Sequence, residues 1–466
     1  MIGNEKTSIF LFMLLFALSA VLSACSGSGT TPANTGPVNS TNTGGGNQGT
    51  NKPEPEPEPV KDLSGEIELW SFNPDSFPES VEAFQAKYPK VKINVVIMNI
   101  VEMHEKALTA IASGSGGPDV LFLEGGYFKQ FNAIEGLEDL LQEPYNAGQY
   151  RDNFTDANWN RWMSIDGKRL IGMPWDMPPS VTYFRQDIME ENGFPTDPAE
   201  LMQYMADSNN FLNMARTLKN KGVYMLEWRD QPVGLMNNGI SFFDSDLNYR
   251  RNTDGFVKGL DISKQIAQEE LYLGQSIWSE EGQQAVKNGK LAFLYMGSWG
   301  ANIVQDWGGE EQTGKWRVTG LPFGAYGGNG GSVLSILSQS KNKELAWEFV
   351  KWNLATDEGQ LIWTKKGMMP GYKPAWEFPE FKNVKHPYLG NQNMNQLYAA
   401  LLDKVPSSFA TPMDDKASEI WGKGVADVMD KNLDSKAALQ KNRGRYSGSC
   451  RGRPAKAAGC QKIIEF

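Results

Sequence analysis

Apolar and polar positions change period several times after Gly65. Ile67 and Leu69 alternate with Glu66 and Glu68, the period-two signature of a half-buried strand that runs into Trp70. Val81, Phe84 and Tyr88 recur at helical spacing between Pro78 and Pro89, so a helix is expected over 78–88. Val91, Ile93, Val95 and Ile97 fall on one face of a second strand, and Met103, Leu108 and Ile111 mark the inward side of a helix from about Val101 to Ser113, closed by Gly114. The unbroken run Val120-Leu121-Phe122-Leu123 reads as a short buried strand. Strands and helices alternating at these lengths imply an α/β fold with a parallel sheet covered on both faces. Ligands on such sheets bind at the carboxyl ends of strands, here near Trp70 to Asp75 and Glu124 to Tyr127.

The first 62 residues follow another logic. Ile9 to Ala24 is apolar apart from Ser19 and Ser23, shorter than the roughly 20 residues a helix needs to span a bilayer, and it ends in Leu22-Ser23-Ala24-Cys25. Residues 1–24 resemble a bacterial lipoprotein signal, in which case Cys25 carries the lipid and the chain is held at the extracytoplasmic face of a membrane. Residues 25–62 form a tether. Ser26 to Asn51 is nearly all Ser, Gly, Thr, Asn and Pro, with too little apolar area to offset the entropy of ordering, and Glu54, Glu56 and Glu58 alternate with Pro as a stiff spacer.

The remainder is long enough for two domains, and the chain as a whole is 40% hydrophobic and 21% charged with a net charge of -10. That balance argues against nucleic acid or an anionic membrane surface as the main partner. Of three cysteines, Cys25 is at the lipidation site and Cys450 and Cys460 lie near the end, so the main body has no disulfide framework and relies on its core.

Familiar catalytic and metal patterns do not close. His104 and His386 are the only histidines, so most histidine-dependent triads and His-rich metal sites lack a base or ligands. His104-Glu105 begins like a zincin helix without its second histidine, and His104 is expected on the polar face of its helix. Gly309 to Lys315 imitates a phosphate loop, but Trp316 stands where Ser or Thr is needed; Asp244, Asp246 and Asn248 begin like a calcium loop, but Tyr249 replaces its glycine. No cofactor or metal is expected. Paired carboxylates of a glycosidase leave no such trace, so an exported carbohydrate hydrolase and a carbohydrate-binding adhesin stay open as alternatives.

Several segments, in order, resemble one family. Ala107 to Gly114 followed by Gly117-Pro118-Asp119-Val120, Ile171-Gly172-Met173-Pro174-Trp175-Asp176, Gly289 to Phe293 with Met296-Gly297-Ser298-Trp299, the stretch Ser338 to Trp352, and Thr356 to Gln360 are similar to motifs of the family 1 extracellular solute-binding proteins, the maltose-binding-protein-like receptors of ABC sugar importers. The resemblance covers about Gly65 to Leu439 and departs at Phe184-Arg185, where the family has Tyr-Asn, and after Lys441, where residues 441–466 turn basic.

The resemblance implies a two-lobe periplasmic-binding-protein-like fold with ligand in the cleft. Lobe 1 would hold 63–175 and 333–371, lobe 2 would hold 182–332 and 376–440, and three crossings would lie near Trp175 to Thr182, Gly331 to Ser335 and Met369 to Trp376. It also implies a monomeric, non-enzymatic receptor that delivers a carbohydrate to ABC permease subunits. Sugars present apolar C–H faces and a rim of hydroxyls, so flat rings and planar polar groups are the residues to seek. Loop position and resemblance together nominate Trp70, Asn73, Glu124, Tyr127, Trp175, Asp176 and Trp299, with Trp228 and Trp421 as further candidates; Trp347, Trp352 and Trp363 share helical spacing with Leu345 and Phe349 and read as core.

Overall fold

In the computed structural model, which describes residues 62–440, the alternation around Ile67 and Leu69 becomes β1 (Ser64–Ser71). It is followed by the helix α1 (Pro78–Lys87), β2 (Lys90–Ile97), α2 (Ile100–Ser113) and β3 (Val120–Glu124). Residues 1–24, read above as a lipoprotein signal, Cys25, nearly all of the segment read as a tether, Cys450, Cys460 and the rest of residues 441–466 lie outside the described residues. β1 pairs in parallel with β2 and β3, as the βαβ spacing requires.

The helix α2 is rotated relative to expectation. Its buried residues are Met103, His104, Ala107 and Ala110, while Leu108 and Ile111 are only half-buried. His104 is completely buried rather than on a polar face. Its Nδ1 bonds the Ile100 carbonyl at 2.6 Å and its Nε2 accepts the Glu124 amide at 3.1 Å, so the ring stitches α2 to the end of β3. Two satisfied nitrogens make that burial tolerable. Burial lowers the His104 pKa to about 4, keeping the ring neutral.

After the short helix α3 (Asp156–Asn160), the two-residue strand β4 (Met173–Pro174) leads out of the first lobe. β5 (Ser180–Arg185), β6 (Phe293–Gly297) and β7 (Trp316–Thr319) form a separate three-stranded sheet, ordered β6-β5-β7 and antiparallel throughout. β8 (Ser332–Ile336) then returns to the first sheet, giving the order β2-β1-β3-β8-β4. β8 runs antiparallel between β3 and β4, so the sheet is mixed rather than wholly parallel.

Each sheet has its own core. Around the first, Leu69, Phe122, Leu334 and Phe349 pack with Trp347, Trp352 and Trp363, the last three buried as expected. β5 serves two cores by alternation, Tyr183 on one face with Leu294 and Trp316, Phe184 on the other with Phe211 and Phe293. Arg185, at the point of departure from the family pattern, is buried and grips Asp187 through Nε at 2.8 Å and Nη2 at 2.6 Å. A bidentate ion pair therefore takes the place of a neutral side chain.

The lobes are joined where the chain leaves and re-enters the first sheet: between β4 and β5, between β7 and β8, and after the helix Asp357–Lys365. The second crossing precedes Ser332; the resemblance put it near Gly331 to Ser335 while giving 333 onward to lobe 1, and Val333 to Ser335 are strand residues of β8 in that lobe.

Candidate functional site

The three crossings lie side by side as a ribbon. The Trp175 amide donates to the Ser332 carbonyl at 3.0 Å, the Asn329 amide to the Pro178 carbonyl at 2.9 Å, and the Gly371 amide to the Trp175 carbonyl at 3.1 Å. Gly331 has φ +107, and a Cβ added there would lie 3.1 Å from the Asp176 carbonyl oxygen and 3.3 Å from Arg161 Nη1, a conformation and a closeness that favour glycine.

Charge is concentrated at this ribbon. Asp176 Oδ1 accepts the Ser332 amide at 2.7 Å. Arg161, just beyond α3, donates through Nη1 to the Gly330 carbonyl at 2.9 Å and lies 4.5 Å from the centre of the Trp162 ring. Glu124, at the end of β3, accepts the Gly126 amide at 2.7 Å. Burial raises the Asp176 pKa to about 7, against the pull of the Ser332 amide and Arg161 and with a further push from Glu124. Burial also raises Glu124 and lowers Arg161. Two carboxyl groups and one guanidinium thus share a poorly solvated site at the hinge, with hydrogen-bonding capacity to spare for a polar ligand.

Trp299 joins the same ribbon from the second lobe. It stands in the turn after β6 with 40% of its surface exposed, and its indole N–H donates to the Asn329 carbonyl at 3.1 Å. Trp299 and Arg161 therefore hold consecutive carbonyls, Asn329 and Gly330, of one crossing. Glu124, Asp176 and Trp299 are brought together in this way.

The other nominated residues are placed differently. Trp175 is 6% exposed, edge-on to Phe122 at 4.4 Å and to Trp363 at 5.1 Å, so its faces are covered by core rings. Trp70 is also buried; its N–H donates to Glu68 at 2.6 Å, and its edge lines a groove with Glu105 and Thr109 of α2 rather than the crossing. Asn73 spends its side chain on its own turn, accepting the Asp75 amide at 2.9 Å. Tyr127 stacks on His104 at 4.1 Å, half-buried. Trp228 is 42% exposed. Trp421 lies edge-on to Phe256 at 5.3 Å and backs Arg251, whose guanidinium sits 3.5 Å from the centre of the Phe242 ring.

A cavity of about 380 Å³ lies between the lobes, bounded by Lys129, Arg161 and Trp162 on one side and by Phe242, Arg251 and Asp415 on the other. The lobes touch beside it: Lys129 pairs with Asp415, and the Asn132 amide donates to the Ala410 carbonyl at 2.8 Å. Arg161 was invisible in the sequence because a single arginine has no spacing signature; the ring-rich run Trp159-Asn160-Arg161-Trp162 was the one available cue. Among the described residues no cluster of His, Cys, Asp or Glu is arranged to hold a metal ion.

Residues 73–361 match the family described as bacterial extracellular solute-binding protein. The chain belongs to this family. Among its relatives, the arabinooligosaccharide-binding protein of Bacillus subtilis is 27% identical over 367 residues, 73% of this chain and 81% of that one. A protein of Streptococcus pneumoniae named as a maltooligosaccharide ABC transporter solute-binding lipoprotein is 21% identical over 66% of this chain and 72% of its own. A solved structure of a family 1 extracellular solute-binding protein superposes with TM-score 0.72 at 22% identity, covering 82% of this chain and 99% of that one. The family members named here are binding proteins, and the two-lobe fold is shared with the solved structure.

Proposed function

We propose that this solute-binding protein captures an oligosaccharide at the inter-lobe cleft and delivers it to the permease subunits of an ABC importer. The observation that carries this reading is the half-exposed indole of Trp299 beside the Arg161, Asp176 and Glu124 set on the crossing ribbon. An indole face covers the C–H face of a pyranose or furanose, and the charged groups give paired hydrogen bonds to its hydroxyls. The names of the Bacillus and Streptococcus relatives, which specify oligosaccharides, support the same ligand class.

The receptor is tethered through lipid on Cys25, a reading supported by the cysteine-ended apolar leader and by the lipoprotein relative. It binds without transforming its ligand, a reading supported by the names of the relatives as binding proteins; Asp176 and Glu124, each held by a backbone amide, orient the sugar.

A thermal-shift screen over mono- and oligosaccharides tests the proposal. A true ligand at 100 times its dissociation constant adds about 2.7 kcal/mol of stability. Chromatography of the same mixtures should recover the sugars intact. A panel in which no sugar raises the melting temperature, or in which one is hydrolysed, contradicts the receptor reading.

A further inference from the structure

The lobes meet a second time, away from the crossings. On the first lobe the contact is the turn Phe128–Gln130, which follows β3, with Asn132 just beyond it. Phe128 and Phe131 are buried in the first core. The Asn132 backbone amide donates to the Phe128 carbonyl at 3.0 Å, and its carbonyl accepts the Ile165 amide at 3.0 Å, so Lys129 and Asn132 stand on a fixed base. On the second lobe the contact is the segment 409–415, pinned at both ends. The Phe409 amide donates to Ser241 Oγ at 2.6 Å. Asp414 opens the helix Asp414–Asp430, and its carboxylate accepts the Thr411 amide at 3.1 Å and the Thr411 hydroxyl at 2.7 Å. Met413 and Ala417 pack with Phe242 and Phe243 of the same lobe.

Two bonds span the gap between these bases. Lys129 pairs with Asp415, and the Asn132 side-chain amide donates to the Ala410 carbonyl at 2.8 Å. Asn132 is 1% exposed, and its Oδ1 is buried with no partner among the described residues. A carboxamide buried half-satisfied costs free energy, so the inner bond is a weak one. The ion pair is weak too, since the Asp415 side chain is 65% exposed. None of these four residues belongs to a crossing. Rotation of the lobes about the ribbon therefore leaves the crossing bonds in place and changes both of these separations.

We propose that Lys129–Asp415 and Asn132–Ala410 form an interlobe clasp that sets how much of the protein is closed before ligand arrives. The apparent dissociation constant is the intrinsic one divided by the fraction of binding-competent protein, so the clasp scales the affinity for every ligand alike. Bonds this weak leave the cleft free to reopen and release what it holds. Lys129, Asn132 and Asp415 are positioning residues, acting on the lobes rather than on the sugar.

The test is solution scattering of the full-length protein without sugar, on wild type, Lys129→Met, Asp415→Asn, the double variant and Asn132→Ala. Calorimetric titration with arabino- and malto-oligosaccharides of two to five sugars follows. Each single variant should have a larger radius of gyration than wild type without sugar, and the same radius at saturating sugar. Affinity should fall roughly two- to fivefold for either half of the ion pair and about tenfold for Asn132→Ala, by the same factor for every sugar that binds. The double variant should match the singles rather than sum them. Unchanged radii in all variants without sugar would overturn the clasp, as would losses that add in the double variant. Losses that differ from sugar to sugar would also overturn it and make these side chains direct contacts. If neither ladder binds wild type, the oligosaccharide reading falls, and the radii measured without sugar decide the clasp on their own.

Discussion

Trp175 and Trp299 have the same side chain and opposite surroundings. Trp175 is enclosed by Phe122 and Trp363, so Trp175→Ala should destabilise the fold by roughly 3–5 kcal/mol in denaturant titration, the usual range for a buried tryptophan. Trp299→Ala removes a half-exposed ring and one hydrogen bond, so its stability loss should stay under about 2 kcal/mol. Equal losses in the two variants would show that Trp299 is core. The hydrophobic pattern could not separate them, because each follows an apolar run and stands in a family motif. Whether an indole face is covered depends on rings brought from distant segments, Phe77 and Trp363 in the case of Trp175.

Two buried titrating groups give the stability a pH signature of opposite signs. Asp176 keeps its proton up to about pH 7 when folded, against 3.8 as its ordinary value, so the folded form binds more protons inside that window and stability falls as pH rises through it. His104 drops from 6.5 to about 4, so the folded form binds fewer protons between those values and stability rises with pH there. Each contribution is of order 3 kcal/mol, and they offset one another over much of the range. Asp176→Asn should leave the His104 effect exposed, with the melting temperature rising from pH 4 to 6.5 more steeply than in wild type. Parallel melting curves for the two proteins would place Asp176 outside the set of strongly perturbed groups.

At the scale of elements, the first βαβαβ run was legible because period-two and helical spacings are local properties. β1, β2, β3, α1 and α2 lie within a residue or so of their expected bounds. The return of the chain to the first lobe at about 333 came only with the family resemblance, and its form as an antiparallel strand was not legible, since Ser332–Ile336 pairs with β3 more than two hundred residues away and in the reverse direction. His104 was misread for a related reason: a polar residue on a helix is expected outward unless both ring nitrogens find partners, and here Ile100 and Glu124 supply them. The crossing ribbon provides a test at this scale. Gly331→Ala puts a methyl about 3.1 Å from the Asp176 carbonyl and 3.3 Å from Arg161 Nη1, at φ +107. It should lower stability by about 1–3 kcal/mol and weaken ligand binding, whereas Gly314→Ala, at φ +79 with open space around it, should lower stability alone. Normal binding in Gly331→Ala would uncouple the ribbon from the site.

For the whole molecule, two lobes joined by three adjacent crossings invite closure about a ligand, and Trp299 and Arg161 tie both lobes to a single crossing. Solution scattering should show a smaller radius of gyration at saturating ligand; identical curves with and without it would favour a rigid cleft. Attachment is a separate matter of the leader: Cys25→Ala should release the protein from membranes or leave its precursor uncleaved, and fractionation of cells detects either result. The central claim is that the chain binds an oligosaccharide through the Trp299 face at the hinge. Calorimetric titration of wild type and Trp299→Ala with the best sugar from the thermal screen tests it most directly. The account predicts one-to-one binding to wild type with a loss of about 10- to 100-fold in the variant, both proteins being folded; equal affinities in the two would contradict it.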